Sequence, residues 1–375
     1  MQARASTSPR IALIVTTTIF FLWGFLTSLN DVLIPHLKAV FELNYARSML
    51  IQFTFFGAYF VMSLPAGHVV ARLGYKHSMV CGLLVAGLGA LGFLPAAQWQ
   101  SYNLFLGALF VMASGITLLQ VSANPYVSLL GDEAGASSRL TLAQALNSLG
   151  HTVGPAVGGL LILSAAVLGA DALAALTPEQ LQQYRATEAR AVQLPYLGLA
   201  IVLFAIAAFV YLFRLPHLTE AAGAGDGAHS LGQAWQQPSL RHAVIGIFLY
   251  VGAEVAIGSL LINYLADPQI VGISETHASI YLSYYWGGAM IGRFAGSLLL
   301  RIVEPPRLLG VFAAVAAALL ALSMTSHGSL ALWSLVAIGL FNSVMFPTLF
   351  TLGIKGLGPL TASGSSLLIM GIVGG

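Results

Sequence analysis

The chain has 375 residues, 58% of them hydrophobic and only 7% charged, with a formal net charge of +2. Soluble domains carry about 25% charged residues, so a chain this apolar belongs in a bilayer, and its near-balanced charge gives a nucleic-acid partner no support. A single cysteine, Cys81, excludes an internal disulfide and any cysteine-based metal site.

A helix needs about 20 mainly apolar residues to cross the hydrocarbon. The short polar stretch Met1–Arg10 leads into an apolar run with no small-residue cleavage site, and many such runs follow. The first run therefore reads as a spanning helix and not as a signal peptide. In chain order the predicted spans are 11–34, 49–70, 78–97, 103–130, 140–168, 195–213, 241–265, 277–300, 308–325, 329–353 and 361–375. Ahead of the sixth, Thr177-Pro178-Glu179-Gln180 supplies an N-cap, a proline at the first helical position and a capping-box partner, predicting a short surface helix. The last span, at about 1.5 Å per residue, reaches about two-thirds of the way across a core about 30 Å thick. The expectation is a chain that is incomplete at its C-terminus, within an eleventh helix.

Lysine and arginine set the orientation. With the N-terminus inside, the inner loops hold Arg4, Arg10, Arg72, Lys76, Arg139, Arg214, Arg241, Arg301, Arg307 and Lys355, and the outer loops hold Lys38, Arg47, Arg185 and Arg190. This is a positive-inside pattern. It predicts a multi-pass protein of the cell inner membrane with a cytoplasmic N-terminus.

The longest polar inner segment divides the chain into an N-terminal six-helix bundle at 1–213, a cytoplasmic linker at 214–240 and a C-terminal bundle at 241–375. Weak echoes relate the halves. Gly67 and Arg72 match Gly296 and Arg301, and Pro125 and Gly131 match Pro347 and Gly353. Asp31 and Glu254 are 223 residues apart, close to the 222 of the proline pair. These offsets favour a six-plus-six parallel repeat.

Ionised side chains in hydrocarbon cost at least about 2.5–3.5 kcal/mol, so those within spans need a reason. Asp31 and Glu254 are the acidic residues well inside spans. Each reads either as a hydrogen-bonded structural group or as a proton carrier, because neutralising a buried carboxylate removes the cost of its charge. Arg293 is open to two readings, a counter-charge or a side chain that snorkels to the inner surface beside Arg301.

Amides are the second enriched feature. Asn30, Gln52, Gln120, Asn124, Gln144, Asn147, Asn263 and Asn342 fall in or near apolar spans, and Gln144 and Asn147 share a helical face. Each alone is compatible with helix–helix adhesion. Together with the aromatics Trp23, Phe55, Tyr59, Tyr264, Tyr284, Tyr285 and Trp286 they suit a sugar, whose hydroxyls need amides or carboxylates and whose C–H face needs a ring. The glycine-rich stretches Gly82–Gly92 and Gly154–Gly159 read as close helix packing. The nine histidines are scattered without metal-ligand spacing, and no Walker loop, nucleophile elbow or His-Glu-x-x-His motif occurs. Neither a cofactor, a metal nor an enzymatic activity is expected.

Several blocks carry a resemblance. Phe20-Phe-Leu-Trp-Gly-Phe25, Leu29-Asn-Asp-Val-Leu-Ile-Pro35, Ser122-Ala-Asn-Pro-Tyr126, Arg139-Leu-Thr-Leu-Ala-Gln-Ala-Leu-Asn-Ser-Leu-Gly150 and Leu176-Thr-Pro-Glu-Gln-Leu181 are similar to the fucose–proton symporter family of the major facilitator superfamily. The similarity continues through Phe346-Pro347 to Lys355 and Gly364-Ser-Ser366. The resemblance implies an all-α membrane protein of two six-helix bundles that carries sugar with protons. It makes Asp31 the family's first-helix carboxylate, and Gln144 and Asn147 its fifth-helix amide pair. The fucose carriers have a carboxylate where this chain has Gln120, a glutamine where it has Glu254 and an asparagine where it has Ser28. Leu119-Gln-Val-Ser-Ala-Asn-Pro125 and Val251-Gly-Ala-Glu254 resemble the glucose/galactose transporter branch instead, which shades into N-acetylglucosamine carriers.

The expected function is secondary active sugar transport by alternating access, with proton-coupled uptake of glucose or galactose. Asp31 and Glu254 are the expected proton-coupling residues, and the eight amides the expected sugar contacts. The expected partners are a small-molecule sugar, the proton and membrane lipid, with the protein a monomer. The alternatives are an N-acetylglucosamine or fucose symporter, an uncoupled facilitator, a non-translocating sugar sensor and a membrane-embedded enzyme.

Overall fold

The structure, a computed structural model, describes residues 8–41, 45–162, 172–173, 175–216, 218 and 231–375. Within its helices the side chains of 29–41, 45, 46, 48, 49, 158–162, 185, 188–192, 275 and 276 lie outside that description. The described residues form helices and no strand. These are α1 (Pro9–Phe41), α2 (Tyr45–Gln98), α3 (Tyr102–Leu129), α4 (Ala136–Ile162), α5 (Pro178–Leu212), α6 (Leu231–Trp235), α7 (Pro238–Ala266), α8 (Glu275–Leu299), α9 (Pro305–Thr325), α10 (Gly328–Asn342), α11 (Met345–Ile354) and α12 (Thr361–Met370). Seven described helical stretches are long and apolar enough to cross a membrane.

Among the described residues the predicted spans fall on helix, with 163–168 of the fifth outside the description, and three junctions differ in an instructive way. The second and third spans are one helical run, α2, interrupted at Gly74 with φ 73° and ψ 170°. Glycine has no Cβ to clash at positive φ, so the chain turns sharply there without a loop. The capping box at Thr177 forms as predicted. The Gln180 N–H donates to Thr177 Oγ1 at 3.3 Å, and the Thr177 N–H donates to Gln180 Oε1 at 3.0 Å. It does not open a separate surface helix, because α5 runs unbroken from the cap into the sixth span. Residues 181–194 are rich in Leu, Gln, Ala, Glu and Arg, which favour helix, and contain nothing to stop it. The tenth span is split into α10 and α11 at Ser343–Val344. Pro347 lacks an N–H and its ring crowds the carbonyl of the residue four earlier, which is Ser343.

The chain forms two compact units, Met1–Ala123 with Leu149–His217, and Asn124–Ser148 with Leu218–Gly375. In the first unit α2 meets α3 through glycine, and a Cβ at Gly89 or Gly115 would overlap the facing backbone at Met112 or Ala86. Where α1 meets α4, a Cβ at Gly154 would lie 2.7 Å from Ser28 Oγ. Lipid offers no hydrophobic drive for helix association, so such backbone approach supplies van der Waals contact instead. The packing role read for Gly82–Gly92 and Gly154 therefore holds, while Gly158 and Gly159 lie outside the described side chains.

In the second unit, Gly292 of α8 lies against Leu340 and Ser343, and Gly339 of α10 lies against Tyr285. This fixes α8 on α10 and so aims Tyr285 and Arg293. The ends of α3 and α4 join the same unit through hydrogen bonds. The Ser137 and Thr351 hydroxyls are 2.6 Å apart, and Ser138 Oγ donates to the Ser297 carbonyl at 2.6 Å. Arg139, from the longest family-like block, donates to the carbonyls of Val127, Ser128 and Asp132 at 3.3, 2.7 and 2.8 Å. Its role is thus to close the orphan carbonyls at the end of α3. A cavity of about 710 Å³ opens beside this joint, with Glu133, Ser137, Arg301, Thr351 and Lys355 in its lining.

Candidate functional site

Within the second unit a continuous chain of polar contacts runs through the middle of the helices. Gln144 Nε2 donates to Asn124 Oδ1 at 3.3 Å, and Ser148 Oγ, one turn further along α4, donates to the Gln144 carbonyl at 3.0 Å. The Arg293 guanidinium donates to Ser148 Oγ. Its other terminal nitrogen lies 3.6 Å from Glu254 Oε1, with the two side chains only 15% and 13% exposed. Arg293 is therefore the counter-charge of Glu254 and does not snorkel toward Arg301.

Two tyrosines and an amide surround this ion pair. The Tyr250 O–H, one turn before Glu254 on α7, donates to the Asn342 carbonyl at 3.1 Å. Asn342 Nδ2 donates to Tyr285 Oη at 2.9 Å, and the Tyr285 O–H donates to the Glu254 carbonyl at 3.5 Å. Asn342 is the last residue of α10, so both its carbonyl and its side chain meet the tyrosines at the break before α11. Asn124 Nδ2, Glu254 Oε1 and Arg293 Nε are buried and make no hydrogen bond among the described residues. Unsatisfied buried polar atoms are rare in native proteins, and three in one network mark it as a place where hydrogen-bonding capacity is held in reserve.

The first unit has a different, uncharged site. Gln120 Nε2 donates to Tyr59 Oη at 2.7 Å, with both side chains buried. Elsewhere in this unit, on α1, Ser28 Oγ donates to the His151 carbonyl at 2.8 Å, and Thr27 Oγ1 lies 3.3 Å from His151 Nδ1. The short side chain of Ser28 thus ties α1 to α4.

Of the residues singled out from the sequence, Asn124, Gln144, Glu254 and Asn342 share the second-unit network, and Gln120 is in the first-unit pair. Asn147 lies on α4 between Gln144 and Ser148. Gln52 and Asn263 are exposed on α2 and α7. Asn30 and Asp31 are helical residues of α1 whose side chains lie outside the description. Among the aromatics, Tyr285 and Tyr59 are buried hydrogen-bonding partners, Tyr264 donates to the Ser323 carbonyl at 2.7 Å, and Trp286 and Tyr284 are 37% and 52% exposed. The sequence reading missed Ser148, Tyr250 and His151. Each stands four residues from a residue it did identify (Gln144, Glu254 and Asn147), so helical spacing was the available signal.

An apolar helical exterior around a buried charged network defines the class as a polytopic membrane transport protein. The model of the Major Facilitator Superfamily matches residues 16–375. The glucose/galactose transporter of Brucella abortus (strain 9-941) is 51% identical over 364 residues, covering 97% of this chain and 85% of that protein. The L-fucose-proton symporter of Escherichia coli K12 is 36% identical over 379 residues, covering 100% of this chain and 86% of that protein. The crystal structure of the superfamily transporter FucP in the outward conformation matches with a TM-score of 0.92 and 36% identity, covering 98% of this chain and 90% of that one. The chain belongs to the major facilitator superfamily and, within it, to the family that contains these sugar carriers.

Proposed function

We propose that this protein is a secondary active sugar transporter that takes up glucose and galactose together with protons. Transport runs by alternating access of the bundles 1–213 and 241–375, in the inner membrane of the cell, with the N-terminus cytoplasmic and the protein a monomer among lipids. The observation that carries the reading is the buried Glu254–Arg293 pair with its unsatisfied atoms. A buried ion pair is a weak source of stability and a strong marker of an ion or substrate path in a membrane. Asp31 and Glu254 are the proton-coupling residues. Gln120, Asn124, Gln144, Asn147 and Asn342 meet the sugar hydroxyls, with Asn30, Gln52 and Asn263 as further contacts along the helices.

The identity of the sugar rests on two substitutions. The fucose carriers hold a carboxylate at the position of Gln120 and a glutamine at that of Glu254, and this chain exchanges the two chemistries between α3 and α7. The chain is also more similar to the glucose/galactose transporter, at 51% identity, than to the L-fucose-proton symporter, at 36%. The test is an uptake panel in vesicles under an inward proton gradient, with glucose, galactose, fucose, mannose and N-acetylglucosamine. Glucose and galactose are expected to accumulate and to compete better than fucose. Uptake of N-acetylglucosamine with neither hexose transported would overturn the assignment. Hexose uptake that equilibrates but never accumulates would make the protein an uncoupled facilitator.

A further inference from the structure

Within the second unit α4 meets α8, α11 and the break between α10 and α11 along one stripe. Ser137, Thr141, Gln144 and Ser148 follow one another at spacings of four, three and four residues, which puts them on one helical face. At one end Ser148 accepts from Arg293, and at the other Ser137 pairs with Thr351 at 2.6 Å. Thr141 lies between them. A Cβ at Gly296 of α8 would meet Val344 and would lie 3.8 Å from Thr141 Cγ2, so Thr141 stands beside the break. One turn earlier on α8, a Cβ at Gly292 would lie 2.6 Å from Ser343 Oγ. Thr348 follows Val344 by four residues and precedes Thr351 by three, so it belongs to the same face of α11.

The hydroxyls at the ends of this joint are bonded and those in its middle are not. Thr141, Ser343 and Thr348 are each 0% exposed. Their hydroxyl oxygens make no hydrogen bond among the described residues. A serine or threonine within a helix commonly returns its hydroxyl to the carbonyl one turn back. Thr117, Ser122 and Thr351 do so here, at 2.8, 2.7 and 3.0 Å. A buried hydroxyl with no partner costs free energy that an apolar side chain of the same shape would not. The closed joint therefore carries a penalty that lies in the choice of side chain. Water removes that penalty when the joint parts, and the cavity of about 710 Å³ lined by Ser137 and Thr351 brings solvent to its inner end.

We propose that Thr141, Ser343 and Thr348 set how readily this joint opens, by keeping its closed form weak. They are positioning residues, acting through the joint and not on the sugar or the proton. The inference rests on the alternating-access reading above, in which α4 belongs to one bundle and α8 and α11 to the other, so the joint must part in every cycle. It goes beyond that reading by naming what holds the closed and open forms near balance. Removing one of these hydroxyls stabilises the closed form alone and deepens the well from which opening starts.

The experiment uses the full chain in proteoliposomes with radiolabelled galactose, beside the thermal midpoint of the same protein in detergent. Thr141→Val keeps the shape of the side chain and removes its hydroxyl, and Ser343→Ala removes the second. Each is expected to leave the midpoint equal or higher and galactose binding within a few fold of wild type. Each should slow galactose counterflow by about fivefold or more, and the double variant should be slower than either. Thr141→Ser keeps the hydroxyl and should run near the wild-type rate. A lower midpoint in both Thr141→Val and Ser343→Ala would show that these hydroxyls bond within the closed joint, and the proposal would fail. Wild-type counterflow in the double variant would overturn it as well, as would a Thr141→Ser protein as slow as Thr141→Val. Absence of galactose counterflow in the wild-type protein would overturn the transport reading itself, and this inference with it.

Discussion

The two units solve the same problem, a buried tyrosine hydroxyl at membrane depth, with opposite chemistry. In the first, Tyr59 accepts from the neutral amide of Gln120. In the second, Tyr250 and Tyr285 close around the Glu254–Arg293 ion pair, which retains unsatisfied atoms. A charged pair in low dielectric is costly wherever its charges are not matched, so its state must depend on what reaches it. The lesson is that Glu254 sits where Arg293 can answer its charge, while Gln120 is met by a tyrosine hydroxyl.

The largest effect should come from breaking the charged side unevenly. Arg293→Leu leaves Glu254 buried without a counter-charge and should cost about 3–5 kcal/mol, read as a large drop in the thermal midpoint of the detergent-purified protein. Combining it with Glu254→Gln should restore most of the loss. A double variant no more stable than the single one would show that Arg293 packs and does not pair.

Asp31→Asn should come next. The amide cannot take up a proton at ordinary pH, so accumulation against a gradient should disappear while sugar-for-sugar exchange survives. Normal accumulation in this variant would make Asp31 structural.

How much of this was legible in the sequence differs between the two regions. The ion pair was half visible. Glu254 announced itself as an acid within an apolar run, but Arg293 kept two readings because α8 alone cannot say which way a long side chain bends. Only the packing of Gly292 and Gly339, which sets α8 against α10, decides it. Asn342 and Gln144 were visible as amides, yet Tyr250 and Ser148 were not, since a tyrosine or serine in a span is ordinary until its partner is placed. The helices themselves were legible from apolar length, and the capping box at Thr177 from four residues. What the pattern could not show was continuity. Gly74 turns the chain without a loop, nothing in 181–194 stops α5, and Pro347 breaks a helix that composition reads as one.

The neutral side should be more forgiving. Gln120→Leu removes the donor to Tyr59 and strands a buried hydroxyl, at about 1–3 kcal/mol, measured as weaker galactose binding with proton dependence retained. Tyr59→Phe removes the hydroxyl and should cost less, about 0.5–1.5 kcal/mol. Equal damage from Gln120→Leu and Arg293→Leu would erase the distinction between the units. The smallest effect belongs to Thr177→Ala, which loses the cap of α5 for about 1 kcal/mol and should lower thermal stability without changing transport kinetics.

The contrast between the charged Glu254–Arg293 pair and the neutral Gln120–Tyr59 pair is tested most directly by measuring sugar affinity and proton flux on the same Glu254→Gln protein. If Glu254 carries a coupling proton, galactose binding should stay within a few fold of wild type while sugar-driven alkalinisation is lost. Restoring part of that flux by adding Gln120→Glu would show that the acid can work from either helix. If Glu254 only accepts hydrogen bonds from the sugar, the same variant should bind more weakly by about 1.5–3 kcal/mol and still move protons, which would contradict the account.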